Sequence, residues 1–143
     1  MSEPGRLLGV DHGKVRVGLA VSDPERRLAS PLQTYTRRGK AQDAGFFREL
    51  VLEEGIVQFV VGLPAHLDGR EGEQARLARA FGKWLGEVTG LPVVFFDESF
   101  TTHDAEQHLL AAGLTSKKRK SRRDRVAAQI MLQAYLEAGC PNL

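Results

Sequence analysis

Arg6-Leu7-Leu8-Gly9-Val10-Asp11-His12-Gly13-Lys14-Val15-Arg16-Val17-Gly18-Leu19-Ala20-Val21 decides the architecture of this chain. Arg6 to Val10 is an apolar run that reads as a strand, Asp11-His12-Gly13-Lys14 supplies turn chemistry, and Val15 to Val21 alternates into a second strand. The segment is therefore expected to be a hairpin, with Asp11 closing its first strand. A third extended segment, around Leu28 to Tyr35, contains Pro31, which removes a ladder donor and so belongs on an edge strand or at a strand end.

Beyond the hairpin the periodicity changes. From about Gln42 to Glu54, Phe46, Phe47, Leu50 and Val51 share one helical face, and Gly55 ends the run. Ile56-Val57-Gln58-Phe59-Val60-Val61, closed by Gly62-Leu63-Pro64, is nearly continuous in apolar residues, as a central parallel strand covered on both faces requires. Leu77, Phe81, Trp84, Leu85 and Val88 recur at helical spacing within a segment from about Glu71 to Thr89 that stops before Gly90 and Pro92. Val93 to Asp97 is the next buried strand. Helices from about Thr102 to Ala112 and from about Arg122 to Ala138 complete the chain, each ended by a glycine. The fold class is α/β: one domain over residues 1–143, with a mixed five-stranded sheet, a meander at one edge and parallel crossovers after it.

Composition narrows the function classes. The 143 residues are 42% hydrophobic, enough for a sizeable core, and 20 Lys+Arg against 18 Asp+Glu exclude a uniformly basic coat protein. Charge is instead concentrated in Lys117-Lys118-Arg119-Lys120-Ser121-Arg122-Arg123-Asp124-Arg125, a local patch able to meet phosphates. Lys14, Arg16, Lys120, Arg122 and Arg123 are the candidate backbone-phosphate contacts. The lone Cys140 cannot form an internal disulfide, and no apolar run is long enough to span a bilayer. A cytoplasmic location and no membrane role are the expectation.

Acids stand at three element boundaries. Asp11 and the Asp97-Glu98 pair fall at the carboxyl ends of strands, where α/β sheets gather ligands, and Asp124 falls in the first turn of the last predicted helix. Each has an ordinary reading: Asp11 as a turn residue, Glu98 as a loop acid near a helix start, Asp124 as a cap. Adjacent residues on a strand face opposite sides, so only one of Asp97 and Glu98 can enter a given crevice, and periodicity does not choose between them. His12, next to Asp11, faces away from Asp11 if the strand continues. Trp84 lies on an apolar face and reads as core.

Leu8-Gly9-Val10-Asp11-His12-Gly13-Lys14-Val15-Arg16-Val17-Gly18-Leu19-Ala20-Val21-Ser22-Asp23, Val60-Val61-Gly62-Leu63-Pro64 with Asp68-Gly69, Asp97-Glu98-Ser99-Phe100-Thr101-Thr102 and Asp124-Arg125-Val126-Ala127-Ala128 resemble, in order, the motifs of the YqgF/RuvX family. The resemblance spans nearly the whole chain. It implies an RNase H-like fold and the activity of Holliday-junction resolvase-like proteins or pre-16S rRNA nucleases. It also implies that the site acids are Asp11, Glu98 and Asp124, serving as catalytic residues and metal ligands.

Carboxylate oxygens suit Mg²⁺ or Mn²⁺, and a zinc site would call for a Cys/His cluster that the sequence lacks. In phosphodiester hydrolysis, two such ions about 3.5–4 Å apart activate water and stabilise the leaving oxygen. The expected partner is nucleic acid, either junction DNA or precursor rRNA. Symmetric junction cleavage would further require a homodimer. Two alternatives stand beside this reading: a non-catalytic RNA- or DNA-binding factor, and an actin-like ATPase, for which the chain is too short.

Overall fold

The computed structural model describes residues 5–64, 72–97 and 116–142. Glu98, Asp68 and Phe100 lie outside them, as does the helix expected from about Thr102 to Ala112. Five strands, β1 (Arg6–His12), β2 (Arg16–Ser22), β3 (Ala29–Thr36), β4 (Ile56–Leu63) and β5 (Val93–Asp97), form one sheet in the order β3-β2-β1-β4-β5. β1 pairs antiparallel with β2, and β2 antiparallel with β3; β4 runs parallel to both β1 and β5. The sheet is thus mixed, with the meander at one edge and β4 in its parallel half. Pro31 sits on edge strand β3, beside a register shift between Leu19 and Ala20 of β2, so its missing N–H interrupts no inner ladder.

Helices cover both faces. α1 (Lys40–Glu54) and α2 (Glu73–Thr89) enclose one core with Leu8, Val10, Val17, Leu19, Phe59 and Val61. α3 (Ser116–Glu137) encloses the other with Leu7, Ala20, Val60 and Val94. The two sets of strand residues differ in parity, as the period of two demands. α1 and α2 each stop at a glycine in the left-handed region, Gly55 at φ 65° and Gly90 at φ 74°.

Two expectations need correction. β1 extends through His12, so Asp11 is not a turn residue: it lies in the ladder opposite Gly18. α3 begins at Ser116, not at about Arg122. The basic run is therefore helical, and Asp124 lies in the third turn rather than at a cap.

Candidate active site

The site begins at a glycine. In β2, Gly18 stands opposite Asp11 of β1, and residues directly opposed across an antiparallel pair share a face. On that face α3 comes so close that a Cβ on Gly18 would collide with the main-chain carbonyl of Asp124 and reach within 3.0 Å of the Arg125 nitrogen. A second glycine two residues before Asp11 does the same further along: a Cβ on Gly9 would stand 2.9 Å from Leu132 Cβ and 3.3 Å from the Ala128 carbonyl oxygen. Gly9 and Gly18 are thus bare platforms on which α3 rests. They bring the half-exposed Asp11, at the carboxyl end of β1, and the half-exposed Asp124 onto the same face and the same end of the sheet.

Polar contacts fix α3 in this seat. Gln133 Oε1 accepts from the Ala29 N–H at 2.8 Å, Gln129 Nε2 donates to the Ala29 carbonyl at 3.2 Å, and the Thr34 hydroxyl donates to the Ser121 carbonyl. Underneath, Met131, Leu132 and Tyr135 are fully buried against the sheet. Each such burial stabilises by roughly 1.5–3 kcal/mol, which makes the position of Asp124 a property of the whole helix.

Arg16, the first residue of β2, donates from Nε to Asp124 Oδ2 at 2.8 Å. With 35% and 20% of the two side chains exposed, the pair is partly desolvated and orients the carboxylate. Of the five basic residues expected on phosphate, the structure distributes the set rather than gathering it. Arg16 is bound to Asp124, Lys14 lies exposed in the β1–β2 turn and lines a cavity on the other face, and Arg122 and Arg123 are half-buried on α3. Lys120 falls one turn before Asp124 on the same helix.

His12 occupies the face opposite Asp11, with its ring 4.8 Å from that of Phe81. Burial, aided by the neighbouring Arg37 guanidinium, lowers its pKa to about 4. A general-base role toward the Asp11 side is excluded by that orientation. Asp97 shares the parity of Val93 and Phe95, which pack on the α1–α2 side, whereas Val94 and Phe96 pack on the α3 side. Asp97 therefore faces away from Asp11.

The sequence reading missed Gly9 and Gly18 as helix seats and Asp43 as a buried anchor. Asp43 accepts from the Tyr35 hydroxyl at 2.7 Å and the Arg38 N–H at 2.9 Å. Glycines spaced along strands otherwise built of Val, Leu and Ala were the available signal for the first two.

Among the described residues, no three His, Cys, Asp or Glu side chains gather as a metal-binding group. The donors present, Asp11 and Asp124, are hard oxygen ligands of the kind Mg²⁺ and Mn²⁺ take. The donor chemistry therefore fits a divalent ion.

A mixed sheet with an antiparallel meander, a carboxylate ending its first strand and a C-terminal helix delivering another define an RNase H-like domain of the resolvase type. Solved structures bear out the fold. T. thermophilus RuvC in complex with a Holliday junction substrate matches with a TM-score of 0.58 at 16% identity, covering 94% of this chain and 96% of that one. The Fowlpox virus resolvase, in complex with substrate Holliday junction DNA, matches with a TM-score of 0.58 at 7% identity, covering 93% and 97%.

The chain belongs to the RuvX family, described as Holliday junction resolvase, whose profile matches residues 5–138. A Rhodopirellula baltica protein named "Putative pre-16S rRNA nuclease" is 46% identical over 134 residues, 94% of this chain and 78% of that protein. A Moorella thermoacetica protein of the same name is 43% identical over 132 residues, 92% and 94% of the two chains. The family is one of nucleases, which favours a catalytic protein over a binding factor. No helix among the described residues is long and apolar enough to cross a membrane.

Proposed function

We propose that this chain is a divalent-metal-dependent nuclease that hydrolyses phosphodiester bonds in structured nucleic acid, with Asp11, Glu98 and Asp124 as its metal-binding and catalytic acids. The observation that carries the reading is the convergence of Asp11 and Asp124 over Gly18 at the carboxyl end of β1. Glu98 is taken as the third acid rather than Asp97 because Asp97 belongs to the opposite face.

A bound Mg²⁺ or Mn²⁺ would supply charge neutralisation at the scissile phosphate and a lowered pKa for an attacking water. The protein's own contribution is positional. Asp11 is held by the β1–β2 ladder, Asp124 by the seating of α3, and Arg16 keeps the Asp124 carboxylate from rotating away. Arg16 also offsets part of the negative charge that would repel a phosphate. Arg122, Arg123, Lys120 and Lys14 supply sequence-independent contacts to the nucleic-acid backbone.

Two substrates follow from the comparisons: the precursor of 16S rRNA, from the relatives' names, and a four-way DNA junction, from the family description. Cutting a junction symmetrically calls for two sites and hence a homodimer, whereas trimming rRNA does not. The deciding experiment presents both substrates to the purified protein with Mg²⁺, Mn²⁺ or chelator, alongside Asp11→Asn, with the oligomeric state read by light scattering. Metal-dependent cleavage lost in a folded Asp11→Asn protein is the expected result; unchanged turnover in that variant sinks the assignment.

A further inference from the structure

The opposite face of the same strand end carries a second feature, away from the Asp11 and Asp124 carboxylates. Where Asp11 points to α3, His12 points to α2, and there a cavity of about 530 Å³ opens between the β1–β2 turn, the residues after β3 and the side of α2. That volume lies within the range of small-molecule sites, about 300–1,000 Å³.

One wall is aromatic. The His12, Phe81 and Trp84 rings form a continuous run, with centroids 4.8 Å apart for the first pair and 5.5 Å for the second, and the Arg37 guanidinium lies over Phe81 at 5.1 Å. Leu77 and Ala80 extend the apolar surface. The rim is basic, from Lys14, Arg37 and Lys40.

Two acids also line the cavity, and they differ in availability. Asp43 is already satisfied by Tyr35, the Arg38 N–H and Arg37 Nε at 3.7 Å, while Glu73 stands exposed in the first turn of α2. Lys14 and Lys40 have no ion-pair partner among the described residues, so the rim retains positive charge to offer a ligand. An inorganic anion would leave the aromatic wall uncovered, and a purely apolar ligand would leave the lysines unused. A planar ring joined to a phosphate uses both.

We propose that this cavity binds a single unpaired nucleotide, its base against Trp84 and the Arg37 guanidinium that covers the buried Phe81 ring, and its phosphate on Lys14 and Lys40. The same chemistry is offered by a free mononucleotide and by an unpaired nucleotide of a substrate strand; the second source rests on the nuclease reading, the first does not.

Trp84 is the chain's only tryptophan and lines the cavity, so its fluorescence reports occupancy directly. The full-length protein in chelator is titrated with AMP, UMP, adenosine, inorganic phosphate and a short single-stranded oligonucleotide. Saturable quenching by the monophosphates is expected, with adenosine binding and phosphate competing at least about tenfold more weakly, since each lacks one of the two contacts. Lys40→Gln, at an exposed position opening α1, and Ala80→Leu, which narrows the cavity from an exposed position, should each weaken the monophosphates by about tenfold.

Absence of saturable quenching overturns the proposal, as does phosphate competing as well as AMP, or both variants binding as the wild type does. Tighter quenching by the oligonucleotide, with Ala80→Leu raising KM for cleavage, assigns the site to a substrate strand. Exclusion of the oligonucleotide while AMP binds assigns it to a free nucleotide, and either result supports the site. A protein that cleaves nothing but still shows the titration would overturn the nuclease reading alone.

Discussion

Replacing Gly18 by alanine adds one carbon atom, and the fold has no space for it. The new Cβ would fall inside the van der Waals envelope of the Asp124 carbonyl and 3.0 Å from the Arg125 nitrogen, both main-chain atoms of a helix held by Gln129, Gln133 and a fully buried Tyr135. A flexible side chain could swing aside; this backbone must move as a unit, by on the order of 1 Å, because interiors are close-packed. Overpacking of this kind costs roughly 1–3 kcal/mol, and the rigid obstacle places Gly18→Ala at the upper end.

Gly9→Ala is the internal control. Its nearest obstacles, Leu132 Cβ at 2.9 Å and the Ala128 oxygen at 3.3 Å, are also fixed to α3, but the overlap is smaller than at Gly18. Its cost should be smaller than that of Gly18→Ala, toward the lower end of the roughly 1–3 kcal/mol range, and partly offset by relief of the glycine's backbone entropy. Urea unfolding with matched slopes gives the two stabilities. Cleavage by the folded proteins gives the second readout: a shift of about 1 Å in Asp124 should cost Gly18→Ala on the order of 10²-fold in turnover, with Gly9→Ala close to wild type. Equal stabilities for the two variants, or a fully active Gly18→Ala, would refute the claim that α3 is seated on Gly18.

Arg16→Ala should lower stability by about 1–2 kcal/mol, between the values for exposed and buried pairs, because both partners are partly covered. It should also lower the Mg²⁺ concentration needed for half-maximal cleavage, since the guanidinium competes for Asp124; an unchanged metal titration would contradict that competition. Tyr135 predicts alkaline sensitivity. Its pKa is pushed up to about 12, chiefly by burial and then by Cys140. Between pH about 10 and about 12 the unfolded chain has lost a proton that the folded chain retains, so stability falls as pH rises through that window. Tyr35, the only other tyrosine, is also raised, by burial and by Asp43. Unfolding midpoints from pH 9 to 12 should therefore flatten in part in Tyr135→Phe, and a slope identical to wild type would count against it.

Much of the fold was legible because apolar runs and glycine stops carry local physics. β4 announced itself through a run of six residues of which only Gln58 is polar, and Pro31 marked the edge strand through its missing donor. The start of α3 was not legible: from Ser116 to Arg125 the chain is polar all round, and an apolar stripe appears only at Val126. Lysine and arginine are good helix formers, but propensity without a buried face gives no periodic signal. Asp11 was misread as possible turn chemistry for a related reason, since Asp followed two residues later by Gly suits a turn, yet the ladder with Gly18 extends past it. The Arg16–Asp124 bond joins residues 108 positions apart, a pairing that no local pattern encodes.

The seating of α3 on Gly18 runs main chain to main chain, and this separates architecture from chemistry. An uncharged residue in place of Asp124 removes the carboxylate while leaving the carbonyl that rests on the glycine where it was. Asp124→Asn should therefore be a catalytically silent protein with an intact outer surface, suited to holding its target without releasing cut product. Cross-linked in living cells, it becomes a reagent for recovering whichever nucleic acid the protein meets there.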